Sequence, residues 1–193
     1  MTRALVIVDV QNDFCPGGSL ATDQGDVVAE KIAALVASEA GSGYSRIVAT
    51  QDWHIDPGSH FSENPDFVDT WPVHCVADSA GAQLRAPLDA KSDRIDACFR
   101  KGAYSAAYSG FEGRTGDVGN GTLLATYLRN EGVDTIDVVG IATDHCVRAT
   151  ALDGLKEGFG VRVVEELCSP VDVARGEAAL NEIEAAGAEV LRA

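Results

Sequence analysis

Ala4-Leu-Val-Ile-Val-Asp-Val10 is apolar throughout except for Asp9, and it is rich in β-branched residues. No polar residue alternates with the apolar ones. Such a run reads as a strand covered on both faces, and therefore as part of a parallel sheet sandwiched between helices. The rest of the chain fits that frame. Residues 24–40 place Val27, Val28, Ile32, Leu35 and Val36 at helical spacing and end at Gly41 and Gly43. Residues 46–50 read as a second strand. A stretch rich in Pro, Gly, Asp and His follows from 51 to about 92, with at most a short helix inside it. Residues 94–100 form a third strand, and a glycine-rich aromatic loop runs from 102 to 121. Then come a helix over 122–130 closed by Gly132, an apolar strand over 135–142 and a helix over 144–157 ended by Gly158. A strand over 161–165, a helix over 171–186 stopped by Gly187 and a short strand over 189–191 complete the pattern. Alternating strands and helices without repeats or linkers predict an α/β fold: one three-layer αβα sandwich over residues 1–193, on a mostly parallel six-stranded sheet.

The chain is 193 residues long, a size that suits one compact domain. A domain of this length buries about 70% of its unfolded surface and needs no disulfide or metal merely to fold. Lys and Arg total 15 against 30 Asp and Glu, a formal charge of −15. Nucleic-acid binding needs a clustered basic surface, so this charge excludes it. With 46% hydrophobic and 23% charged residues, the composition is that of a globular protein and not of a disordered tail. The apolar runs fall far short of the roughly 20 residues that span a bilayer. Asp9 also breaks the N-terminal stretch that a secretory signal would keep apolar. Cysteines 15, 75, 98, 146 and 168 are odd in number, scattered, and never in a C-x-x-C. The expectation is a reduced, cytoplasmic protein without a membrane partner.

Open parallel sheets bind ligands beyond the carboxyl ends of their strands. Asp9 ends the first strand, Asp52 and His54 follow the second, Lys101 follows the third, and Cys146 follows the fourth at a helix start. Reactive residue types thus recur at one edge. Three of the four histidines fall between 54 and 74, in Asp52-Trp-His54-x5-His60 and then His74. Residues two apart at a strand end point to the same side, so Asp52 and His54 converge, and the following loop can bring His60 and His74. One carboxylate and three imidazoles suit one divalent ion: Zn, Fe or Mn. Without thiolates the site should keep a position open for water or substrate.

Cys146 lies in Gly140-Ile-Ala-Thr-Asp-His-Cys146-Val-Arg, where a buried strand gives way to a helix. A thiolate there gains from the helix dipole, and backbone N–H groups can form an oxyanion hole. Asp9 could serve as the base and Lys101 could organise the charge. Equally, a buried cysteine packs more often than it reacts, Asp9 could cap a loop, and Lys101 could be a solvated charge. The residue types alone leave both readings open, as they do a metal hydrolase in which Cys146 is a bystander. The chain has no G-x-S-x-G, no H-E-x-x-H and no G-x-x-x-x-G-K-[ST]. Gly119-Asn-Gly121 opens a helix, but the third glycine of a dinucleotide fingerprint would fall at Leu124, which argues against NAD.

Five stretches carry a resemblance. They are Val8-Asp-Val-Gln-Asn-Asp-Phe-Cys-Pro-Gly-Gly-Ser-Leu20, Thr50-Gln-Asp-Trp-His-x5-His60-Phe, Thr70-Trp-Pro-Val-His-Cys75, Lys101-Gly-Ala-Tyr-Ser-x2-Tyr-Ser-Gly-Phe111 and Gly140-Ile-Ala-Thr-Asp-His-Cys-Val147. Over essentially its whole length the chain resembles the nicotinamidase/pyrazinamidase branch of the isochorismatase-like cysteine hydrolases. The first and last stretches mark the wider superfamily. The Asp-Trp-His and Trp-Pro-x-His pieces are narrower, because related hydrolases without a metal lack them. The resemblance implies hydrolysis of nicotinamide to nicotinate and ammonia through a cysteine thioester. It assigns Cys146 as nucleophile, Asp9 as acid/base, Lys101 as supporting cation, and Asp52, His54, His60 and His74 as ligands of a metal that holds the pyridine nitrogen. It also implies that Phe14, Trp71 and Tyr108 line the ring pocket, that the amides of Ala142 and Cys146 form the oxyanion hole, and that the peptide before Ala142 is cis. It leaves open which metal is bound and whether the protein is a monomer or a homo-oligomer.

Overall fold

β1 (Arg3–Val8) is the apolar run quoted above, and it is buried on both sides. Its Ala4, Val6 and Val8 enter one hydrophobic cluster while Leu5 and Ile7 enter another, as the two-residue period of a strand dictates. The computed structural model describes residues 1–116 and 119–192. The remaining elements are α1 (Gly25–Ala37), β2 (Arg46–Asp52), β3 (Ala97–Lys101), α2 (Leu124–Asn130), β4 (Thr135–Ile141), α3 (Arg148–Lys156), β5 (Gly160–Ser169), α4 (Val173–Ala185) and β6 (Glu189–Leu191). The strands form one sheet in the order β3-β2-β1-β4-β5-β6, and every pairing is parallel. Leu124, Leu128, Ala151, Leu180 and Ile183 place α2, α3 and α4 on one face. Val28, Ile32 and Val36 place α1 on the other, beside Leu84 and Leu88 of the long β2–β3 connection. Among the described residues no helix is long and apolar enough to cross a membrane.

The expected three-layer α/β sandwich is therefore present, with a sheet that is parallel throughout. Helix ends shift by one to three residues from the expected limits, as fraying ends commonly do. Two differences have physical causes. β5 runs ten residues, well past the expected 161–165, because Glu165 and Glu166 mask a continuation in which Leu167 and Ser169 are buried. The pairing with β4 slips between Val138 and Gly140, and the irregularity absorbs the charged pair. Gly140 itself lies at φ +121°, and a Cβ there would sit 2.1 Å from the Val8 carbonyl oxygen, so only glycine fits.

The helix expected from 144 instead begins as a π turn over Thr143–Val147, with Val147 N–H donating to Ala142 O at 3.0 Å, and α3 follows. The segment from 51 to 92 holds short 3-10 turns at Gly58–His60 and Asp89–Arg94 and no α-helix. Of the loop expected over 102–121, positions 117 and 118 lie outside the described residues.

Candidate active site

The chain lays β1, β2 and β3 outward in one direction, returns to place β4 beside β1, and then builds β5 and β6 the other way. The strand order thus reverses between β1 and β4, where parallel sheets open a crevice at the carboxyl edge. Four neighbouring strands deliver four groups there: Lys101 ends β3, Asp52 ends β2, Asp9 follows β1, and Cys146 follows β4. Asp52 and Lys101 are direct partners in the β2–β3 register. All four side chains are buried.

Lys101 is the hub. Its Nζ lies 2.5 Å from Asp52 Oδ1, 2.9 Å from Asp9 Oδ2, 3.0 Å from the Ala107 carbonyl and 3.7 Å from Cys146 Sγ. Ligating atoms of Asp9, Asp52 and Cys146 all fall within 4.8 Å of one another. Asp9 adopts φ +48°, an uncommon left-handed conformation for a non-glycine residue. Its Oδ1 accepts from the Thr50 hydroxyl at 2.6 Å, whereas its buried Oδ2 is paired with the Lys101 ammonium.

These surroundings push the titrating groups apart. Burial opposes ionisation of Asp52, but Lys101 together with His54 and His74 outweighs it and holds the carboxyl well below its ordinary value. Burial raises Asp9 above its ordinary value, with Asp52 adding to the effect and Lys101 and Thr50 opposing it. Burial disfavours the Lys101 charge too, yet Asp52 and Asp9 together hold it well above the usual lysine range. Burial also drives the Cys146 thiol well above its ordinary value, and Asp9 and Asp52 counter the help of Lys101. These surroundings favour the thiol form of Cys146 over the thiolate. Carboxylates with divergent acidities in one site are the signature of divided acid/base roles.

His54, His60 and His74 converge next to Asp52. One ring nitrogen from each lies within 4.8 Å of the others, and the ring centroids are 4.9–5.4 Å apart. His54 Nδ1 lies 2.6 Å from Gly102 O and His74 Nδ1 2.7 Å from Pro72 O, so each Nδ1 donates to a carbonyl and each Nε2 is the ring atom left for a ligand. Both Nε2 atoms face Asp52 Oδ2, at 3.6 and 3.8 Å. Burial, with His74 and His54 close by, lowers His60 to about 4, so its ring is neutral near pH 7. His54 Nε2 and His60 Nδ1 are buried without partners. Three converging imidazoles and one carboxylate, with His54 Nε2 and His60 Nδ1 left without partners, fit a divalent cation.

Beside the two clusters opens a cleft of about 450 Å³, counting its mouth. Cys146, Asp52, His60 and His74 reach its wall, as do Phe14, Trp71, Tyr108 and Ala142. Asp9, Lys101 and His54 lie behind that wall. The Phe14 ring lies 5.5 Å from the His74 ring, and Trp71 Nε1–H donates to the Tyr108 hydroxyl at 3.0 Å. The Ile141–Ala142 peptide is cis.

Other contributors carry no catalytic signal in the sequence. Gln11 is fully buried, and its carboxamide accepts from Asp52 N–H and donates to Asp52 O and Ala82 O at 2.8–2.9 Å, clamping the Asp52 backbone. Asp13 Oδ2 accepts from Cys75 N–H at 2.7 Å and anchors the residue after His74. His145 lines the cleft, its ring 5.0 Å from Trp71. Gly102, at φ +74°, lies so near the His54 ring that a Cβ would approach Cε1 to 2.7 Å. Gly102→Ala is therefore expected to displace His54 and weaken divalent-metal affinity about 10–100-fold. Competition against a chromophoric chelator measures this; unchanged affinity removes His54 from the ligand set.

Residues 3–193 match the isochorismatase domain. The chain is 50% identical to the nicotinamidase/pyrazinamidase of Mycobacterium tuberculosis over 189 residues, covering 98% of each. It superposes with a TM-score of 0.80 on the zinc complex of Pyrococcus horikoshii pyrazinamidase, at 36% identity over the full length of both chains. PnC1 from L. infantum in complex with nicotinate matches with a TM-score of 0.83 at 38% identity, covering 99% of this chain and 92% of that one. A match this long, at this identity, carries both the sheet and the segments that bear the site, and the chain belongs to the isochorismatase family, in the branch that holds the nicotinamidases and pyrazinamidases.

Proposed function

We propose that this protein hydrolyses nicotinamide, and pyrazinamide as well, to the carboxylate and ammonia, with Cys146 as nucleophile, Asp9 as acid/base and Lys101 as supporting cation. The observation that carries the reading is the Lys101 ammonium, which touches both Asp9 and Asp52 and lies 3.7 Å from a thiol on the wall of an aromatic cleft. The named substrates of the relatives agree with it.

A primary amide resists hydrolysis because its nitrogen leaves poorly, so it needs a nucleophile, a proton at nitrogen and charge stabilisation at oxygen. Asp9 Oδ2, the oxygen not engaged by Thr50, takes the Cys146 proton as Sγ forms a bond to the amide carbon. The amides of Ala142 and Cys146 receive the developing oxyanion. Asp9 then gives the proton to nitrogen, the C–N bond breaks, ammonia leaves, and a thioester remains. Water adds to the thioester, Asp9 takes its proton, and Cys146 departs with that proton restored. Lys101 keeps both carboxylates in place throughout and lowers the cost of thiolate character. Phe14, Trp71 and Tyr108 hold a flat ring between aromatic walls. Asp52, His54, His60 and His74 would hold one Zn, Fe or Mn ion, whose contribution when bound is a Lewis-acid anchor for the ring nitrogen. The scattered cysteines suit a cytoplasmic setting.

Protein loaded with Zn, Fe or Mn should release ammonia and nicotinate from nicotinamide in equal amounts, and pyrazinamide should compete. Acid-quenched enzyme should carry a nicotinoyl group on the peptide that contains Cys146. Absence of ammonia release with all three metals sinks the proposal.

A further inference from the structure

We propose that Thr50 is a positioning residue that selects which oxygen of Asp9 works on Cys146. The inference rests on Asp9 serving as the acid/base for Cys146. Thr50 lies in β2, is fully buried, and grips Asp9 twice. Its carbonyl accepts from Asp9 N–H at 3.2 Å, and its hydroxyl donates to Asp9 Oδ1 at 2.6 Å. The first contact helps hold the left-handed turn at Asp9, and the second fixes the carboxylate about its last torsion. A carboxylate rotates about that bond in a broad, nearly two-fold well, so without a partner either oxygen could face the thiol. With Oδ1 taken by Thr50, Oδ2 is the oxygen left toward Lys101, at 2.9 Å, and Lys101 Nζ is itself 3.7 Å from Cys146 Sγ.

The hydroxyl direction is itself set by packing. Threonine is stiff at χ1, and the Thr50 methyl occupies the space left by Gly110, where a Cβ would come within 2.8 Å of Cγ2. Gly110 is held in turn by its N–H donating to Thr150 Oγ1 at 2.9 Å. A chain of small residues thus aims one hydroxyl at one carboxylate oxygen. None of these contacts reaches the cleft wall, so Thr50 touches neither the ring pocket nor the imidazoles directly.

The test compares wild type, Thr50→Val and Thr50→Ser. Valine keeps the shape and removes the hydroxyl, while serine keeps the hydroxyl and removes the methyl. The rate of acyl-enzyme formation in single turnover should fall about 10–100-fold in Thr50→Val, the effect typical of losing a group that orients an active-site residue. KM and bound metal should stay within about twofold, and Thr50→Ser should recover to within about threefold. Should valine fail to fold, Thr50→Ala against Thr50→Ser isolates the hydroxyl in the same way. Acylation in Thr50→Val within about threefold of wild type overturns the inference. So does Thr50→Ser as impaired as its hydroxyl-free counterpart, which would assign the effect to packing, and so does a loss carried by KM. A wild type that forms no acyl-enzyme refutes the proposed function itself, a result distinct from all of these.

Discussion

Cys146→Ala should abolish amide hydrolysis, lowering kcat by about 10⁴-fold or more, or roughly 5.5 kcal/mol of barrier. Among the described residues that line the cleft, no other carries a thiol. Cys75 is buried and absent from the cleft wall, and burial holds its thiol well above the ordinary range. The alanine variant should keep its fold, because the lost sulfur borders an open cleft and leaves no sealed void. It should keep its metal and bind nicotinamide, since the aromatic walls and the imidazoles are untouched. The acyl adduct seen by mass in wild type should vanish. Turnover above about one part in a hundred of wild type would disqualify the nucleophile and favour direct attack by water. Residual turnover near 10⁻⁴ would instead measure what positioning and the oxyanion hole achieve alone.

Lys101→Met should be the most damaging exchange for stability. The lysine is 3% exposed, and its side chain is in contact with two carboxylates that are themselves buried. Removing one partner of a buried ion pair typically costs about 3–5 kcal/mol, because it strands a charge in a poorly solvated site. For a chain of this length that corresponds to a fall in Tm of roughly 6–20 °C. The pH dependence identifies the cause. In wild type, Asp52 titrates below its unfolded value, so its contribution is present above that value and is lost as pH falls through the folded one. In Lys101→Met, at least one of the two buried carboxyls should titrate above its unfolded value of about 4, so the folded state binds the extra proton and stability falls as pH rises. The deficit relative to wild type should therefore be smallest near pH 4 and widen toward neutrality. A deficit independent of pH would mean that the methionine merely packs badly. Activity should fall along with stability, since Asp9 would lose the charge that opposes its protonation.

Much of the fold was legible because burial on both faces leaves an unmistakable trace. Residues 4–10 and 135–142 contain little but apolar side chains, and both are central strands. Period and composition report average burial, so they predict a strand ending at 165, whereas β5 runs on to Ser169 because Glu165 and Glu166 sit where the ladder slips. The site residues were legible as types in suspicious company, and the structure brings Asp9, Lys101 and Cys146 together beside Asp52 and the three histidines. Asp52 was assigned to the metal on its two-residue spacing from His54, a local rule. Its contact with Lys101 was not legible, because it depends on β2–β3 register. The roles of Gln11 and Thr50 are hidden for a related reason: each acts through two hydrogen bonds on a residue 41 positions away, a pairing that only the β1–β2 juxtaposition creates.

Residue chemistry and hydrophobic period, by themselves, determined that this chain makes a helix-covered parallel sheet and that a thiol, carboxylates, an ammonium and imidazoles gather at one of its edges. Both are local properties: a strand announces its burial, and its last residue announces its edge. Which of those groups touch, and in which state of protonation, was decided only by the folded arrangement. The order of β3, β2, β1 and β4 sets Lys101, Asp52, Asp9 and Cys146 side by side, and burial there raises the Cys146 thiol while Lys101 opposes the rise. Electrostatic energies depend on distance and on exclusion of water, and a linear sequence states neither.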